Sequence, residues 1–116
     1  MDFDPHDPTV VLRDRDGADG TRYLDATIDK AGRLVIEGQD VGAVVERQFG
    51  EGYREYEWRW TVKPDDIPAA IEALGGEAGE SPLAVAARWT EEHDTDPGSA
   101  LKAAKVRIEL WSRLGD

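Results

Sequence analysis

The chain contains no cysteine, which excludes a disulfide framework, a thiolate zinc site and a cysteine nucleophile. Histidine occurs only as His6 and His93, so any Ser–His or metal–His constellation would rest on His93. No segment approaches the run of about 18 apolar residues that a membrane-spanning helix needs. The N-terminal stretch Met1-Asp-Phe-Asp-Pro-His-Asp-Pro8 is the reverse of a secretory signal. A soluble, cytoplasmic protein is therefore expected. Basic charge is scarce as well: 14 Lys and Arg stand against 25 Asp and Glu, a net charge of -11. Such a chain repels nucleic-acid phosphate and anionic membrane and steers basic partners toward itself. Solubility alone favours the same composition. The excess is uneven, with 19 carboxylates against 9 bases in residues 1–80 and 6 against 5 in residues 81–116.

What is abundant is aromatic alternation. Of nine aromatic residues, four fall between Tyr53 and Lys63. Tyr56, Trp58, Trp60 and Val62 point one way, while Glu55, Glu57, Arg59, Thr61 and Lys63 point the other. That is a strand with one buried and one wet face. Each such ring removes roughly 150 to 250 Å² from water, so this strand should organise the core. At 116 residues the chain is one domain. Residues 1–8, rich in proline and aspartate, read as a loose arm before a single domain over 9–116.

Short strands are expected at Thr9–Arg13, Thr21–Asp29 and Arg33–Gln39, with turn chemistry over residues 14–20. Lys30-Ala31-Gly32 fits a three-residue hairpin loop with a left-handed glycine. With Asp29 facing Arg33, Ile28 falls opposite Leu34 and Ala26 opposite Ile36, so the apolar faces coincide. The same register sets Asp25 opposite Glu37, a like-charge pair that something nearby must compensate. Asp40 can cap a weak helix Val41–Gln48. A helix from Pro64 to Leu74 stops at Gly75-Gly76, and another runs from Pro82 to about Thr90 behind a Ser81 cap. Residues 91–96 read as an acidic turn before a small helix Gly98–Lys105, opened by Asp96 and Pro97. A last strand, Val106–Arg113, turns Val106, Ile108 and Leu110 inward. The order implies an α+β fold: a mainly antiparallel sheet of about five strands with two to four helices packed on one face.

The other face then stays in water. It presents Tyr23, Asp25 and Thr27; Val35 and Glu37; Glu55, Glu57 and Arg59; and Arg107, Glu109 and Trp111. One reading is a solvated surface with internal ion pairs, each contributing at most about 1 kcal/mol. The functional reading is a docking face for a basic protein partner, with Tyr23 and Trp111 as anchors and Asp25, Glu37, Glu55, Glu57, Arg59 and Glu109 providing steering and register.

Enzyme signals are weak. Glu55 and Glu57 could act as a carboxylate pair, but plain strand alternation places them identically. Glu91, Glu92, His93, Asp94 and Asp96 match neither EF-hand nor zinc spacing. Leu74-Gly-Gly76 ends a helix, the wrong polarity for a phosphate cradle. No motif implies a cofactor, a metal or a catalytic residue.

The series Tyr23-Leu-Asp-Ala, Leu34-Val-Ile-Glu-Gly-Gln-Asp40, Tyr56-Glu-Trp58, Ala73-Leu-Gly-Gly-Glu77 and Leu110-Trp-Ser-Arg113 resembles a family of small acidic proteins from high-GC bacteria. That resemblance implies no activity and maps no site. In size and acidity the chain is also similar to immunity proteins of bacterial toxin systems, a likeness of class and not of motif. Three functions remain open: a non-enzymatic binder that occludes or regulates a basic partner such as a toxin; a small-molecule sensor or enzyme with a pocket near Trp58, Trp60 and Trp89; and a homodimeric structural module pairing through Val35, Trp111 and the edge strands.

Overall fold

The computed structural model describes residues 8–115. The expected arm falls largely outside them; Pro8 itself is already on the sheet, its carbonyl accepting from the Ile28 N–H at 3.0 Å. Five strands, β1 (Thr9–Gly17), β2 (Gly20–Ile28), β3 (Leu34–Val41), β4 (Glu55–Val62) and β5 (Glu109–Gly115), form one antiparallel sheet in chain order. Helix α1 (Ala43–Phe49) links β3 to β4; after a single 3-10 turn at Pro64–Asp66 come α2 (Ile67–Ala73), α3 (Pro82–His93) and α4 (Pro97–Ala103). The fold is α+β, with helices packed alongside a five-stranded antiparallel sheet.

The β2–β3 register is the one the hydrophobic pattern demands: Ile28 faces Leu34, Ala26 faces Ile36 and Asp25 faces Glu37. Gly32 takes the left-handed conformation in the loop, with φ 79°. Asp29 clamps the turn, its carboxylate accepting from the backbone N–H of Ala31 and Arg33 and from Arg33 Nε at 2.7 Å. Leu24, Ala26, Leu34, Ile36, Trp58 and Val62 on one sheet face pack with Ala70, Ile71, Leu74, Val85, Ala86 and Leu101 of the helices.

The aromatic strand is held by backbone proximity and by one carboxylate. Gly38 lies under the Trp58 ring: a Cβ there would come within 2.2 Å of it. Gly98, at the start of α4, lies as close to the Trp60 indole. Trp58 Nε1 and Trp60 Nε1 both donate to Asp96 Oδ2, at 2.6 and 2.9 Å, while Asp96 Oδ1 accepts from the Gly98 N–H. Thus the α4 cap also satisfies the indoles of buried Trp58 and half-buried Trp60.

Several elements depart from expectation. β1 continues through residues 14–17, confining the turn to Ala18 and Asp19, because Asp14, Arg15 and Asp16 pair with Tyr23, Arg22 and Thr21. Asp40 caps no helix. It is the penultimate residue of β3, buried, and accepts from Arg22 at 3.3 Å, while α1 begins two residues later than expected from Gly42 at φ 109°. Helix α3 runs on to His93, taking in the first half of the acidic turn. β5 starts at Glu109, later than expected, and Leu110 is 53% exposed instead of inward in the core, since it lies on the sheet's far edge strand.

Candidate functional site: the outer face of the sheet

Register aligns the outer side chains into cross-strand rows. One row runs Asp25, Glu37, Arg59 and Trp111; the next runs Tyr23, Gln39, Glu57 and Arg113; a third runs Thr27, Val35, Thr61 and Glu109. The third row corrects the picture of a uniformly wet face. Thr27, Val35 and Thr61 are buried, Val35 completely. They are β-branched cross-strand neighbours, and Thr27 shares a hydroxyl–hydroxyl hydrogen bond with Thr9 at 2.9 Å. Val35 is therefore no self-association surface.

The first row resolves the facing carboxylates of Asp25 and Glu37. Arg59 donates to Glu37 Oε1 from Nε and a terminal nitrogen, at 3.1 and 2.8 Å. Its guanidinium also lies 4.9 Å from the centroid of the Trp111 ring, a cation–π contact that holds the indole on the surface. Trp111 remains 43% exposed. Asp25 is compensated differently: it has the Tyr23 hydroxyl at 3.1 Å as its donor. Burial pushes the Asp25 carboxyl above its ordinary range and the Glu37 charge adds to this, against the Tyr23 hydrogen bond. Burial, followed by the charge of Asp25, raises the Tyr23 phenol in turn.

Between the first two rows lies a depression of about 220 Å³ lined by Tyr23, Asp25, Glu37, Gly38, Gln39 and Glu57. Gln39 donates to Glu57 at 3.2 Å. Of three carboxylates here, Glu37 is neutralised by Arg59, whereas Asp25 and Glu57 have only neutral donors among the described residues. Four expected site residues, Tyr23, Asp25, Glu37 and Glu57, thus meet in one concavity, with Arg59 and Trp111 beside it. Glu55 and Glu109 lie apart, paired with Arg113 at 3.6 Å and Lys63 at 3.7 Å. Arg107 precedes β5.

No family model, curated protein or solved structure matches the chain. Its surfaces must carry the functional argument.

A second concavity, about 420 Å³, opens on the helix side between the sheet and the α3–α4 connection. Arg13, Arg22, Trp58, Trp60, Asp96 and Leu110 contribute to its wall. The pocket expected near Trp58, Trp60 and Trp89 thus has Trp58 and Trp60 in its wall but not Trp89, and the pattern left out Arg13, which changes face at a β-bulge between Val11 and Arg13. A signal was present all the same: two tryptophans two residues apart on a buried face require two acceptors. His93 stacks on Trp89 and its Nδ1 lies 2.8 Å from the Trp89 carbonyl. Among the described residues no cluster of His, Asp or Glu is arranged to hold a metal ion, and no helix is long and apolar enough to cross a membrane.

Proposed function

We propose that this chain is a non-enzymatic binding domain, acting in the cytoplasm, that occludes or regulates a basic protein partner through the outer sheet face. The observation that carries this reading is Asp25: a half-buried carboxylate, facing Glu37 and pushed up by burial, at the wall of a depression it shares with Glu57. The free protein bears the cost of that arrangement. A lysine or arginine side chain entering beside Tyr23 would relieve it, so binding energy is gained where the free state is least comfortable. Trp111, braced by Arg59, supplies an exposed aromatic anchor next to the charged centre. Blocking is steric, and the net charge of -11 speeds encounter. A toxin-neutralising role is the class of function that size and acidity favour.

The test is an NMR titration with a short arginine- and lysine-rich peptide, repeated on Glu57→Lys and Trp111→Ala. Shifts centred on Tyr23, Asp25, Glu57 and Trp111, with affinity falling at least about tenfold in Glu57→Lys, support the reading. Shifts distributed over all exposed carboxylates, equal in wild type and variant, would overturn it. The helix-side concavity favours a second reading, a sensor for a small anion. Arg13 lines it with no anionic partner among the described residues, next to Trp58 and Trp60. Tryptophan fluorescence that responds to small carboxylates or phosphates, and loses the response in Arg13→Ala, would support this alternative over docking.

A further inference from the structure

The sheet has two edges, and they are built differently. β1 is blunted by a bulge at Leu12 and by the alternating charges Arg13, Asp14, Arg15 and Asp16, both of them devices that discourage strand addition. β5 has neither. Its register with β4 is regular, no proline interrupts it, and six of its seven residues are exposed. It also carries Leu110, Trp111 and Leu114, half of the six large hydrophobic side chains exposed on the described chain. Leu114 continues into an apolar strip, since it faces Tyr56, whose ring contacts Phe49 at 4.7 Å.

We infer that β5 pairs antiparallel with β5 of a second copy, about a two-fold axis at Ser112, to give a continuous ten-stranded sheet. The sequence Glu109-Leu-Trp-Ser-Arg-Leu-Gly115 is self-complementary in this register. Leu110 meets Leu114 of the other copy on the helix side, and Trp111 meets its Arg113 on the outer side, both twice by symmetry. Glu109 falls opposite glycine and diagonal to Arg113 of the other copy, so no like charges face each other and the charged neighbours are of opposite sign. Paired positions have the same parity, so both outer faces end on one side. The strand is locally neutral, with one acid and one base, which is what lets two copies of a chain at net charge -11 meet here. Closure is complete at two, because only the blunted β1 edges remain. The buried area is that of one strand pair with its side chains, which makes the dimer concentration-dependent.

This inference does not rest on the docking reading, although both use Trp111, and salt separates the two. Self-pairing opposes net repulsion and strengthens with salt, whereas binding of a basic partner weakens. The test uses the natural absence of cysteine. Ser112→Cys should oxidise to a disulfide-linked dimer, since directly facing strand residues lie within disulfide reach, while Arg113→Cys in the same register should not. Sedimentation of the unmodified chain should show mass doubling as concentration rises, and Leu110→Lys combined with Leu114→Lys, both at exposed positions, should stay monomeric with an unchanged circular dichroism spectrum. A monomer at every concentration, assembly beyond two copies, or equal crosslinking of the two cysteine variants would overturn the inference.

Discussion

Two aspartates at opposite ends of β2's environment act on stability with opposite sign. Asp25 is raised, first by burial and then by Glu37, against its hydrogen bond from Tyr23. The folded protein therefore holds the Asp25 proton to higher pH than the unfolded chain, and stability falls as pH rises through that window. At neutral pH the ionised group is a cost. Asp25→Asn keeps an acceptor for Tyr23 and removes the charge facing Glu37, so it should stabilise the free protein by roughly 0.2 to 1 kcal/mol. The gain should shrink as pH falls toward the ordinary value of 3.8, where the wild-type group is protonated too. Urea unfolding at neutral and acid pH measures this; a difference independent of pH would show that charge is not its origin. The same variant should bind a basic peptide more weakly, so stability and binding move in opposite directions. Asp29 is the converse. Burial alone would raise it, but hydrogen bonds from the Arg33 backbone and guanidinium and the Ala31 backbone hold it below the ordinary range. Its contribution is present above the unfolded pKa and is lost as pH falls through the lowered folded value.

Strand β4 works as an element because its neighbours make room for it. Gly38→Ala places a methyl within 2.2 Å of the Trp58 ring, and overpacking of that kind should cost about 1 to 3 kcal/mol. Asp96→Ala removes one acceptor shared by two indoles together with the α4 cap. It should cost about 3 kcal/mol, with a shifted tryptophan emission in the folded state. Thermal melts of both variants check these values, and a neutral Gly38→Ala would mean that Trp58 can swing out of the core. The pattern was legible where one face is apolar: alternation in Tyr56 to Val62 and the loop glycine Gly32 dictate faces and the β2–β3 register. It was misleading where a residue's environment comes from another element. Asp40 has the chemistry of a cap, but Arg22 across the hairpin claims it; Val35 alternates outward yet is buried with Thr27 and Thr61. Leu110 alternates inward yet reaches the edge, which no local period encodes. The depression on the outer face was half legible. Its carboxylates follow from alternation, while Gln39 and the paired state of Glu37 depend on which strands are neighbours.

Over the whole molecule, the question is how far the net charge of -11 acts. The chain measures 44 × 29 × 23 Å, whereas the Debye length is about 10 Å at 0.1 M salt and about 3 Å at 1 M. Repulsion between distant ends is already screened near physiological ionic strength. What remains acts at short range, and includes the repulsion that Asp25 meets from Glu37, which faces it across one strand gap and is offset in part by Arg59. From low salt to about 0.1 M, melting temperature should therefore rise in wild type and in Asp25→Asn alike, because the global field is being removed from both. Between about 0.1 and 1 M the wild type should gain relative to the variant, since ion pairs such as Arg59–Glu37 and Arg33–Asp29 are screened alike in both and the Asp25–Glu37 contact is what the variant lacks. Association with a basic partner follows the first range: its on-rate should fall steeply as the global field disappears, and its dissociation rate should change little until the second. Calorimetry across the salt series measures the first pair of curves and stopped-flow tryptophan fluorescence the second. Parallel wild-type and variant curves throughout would place the repulsion in the general field, and the outer depression would lose its claim to be the site where a partner relieves it.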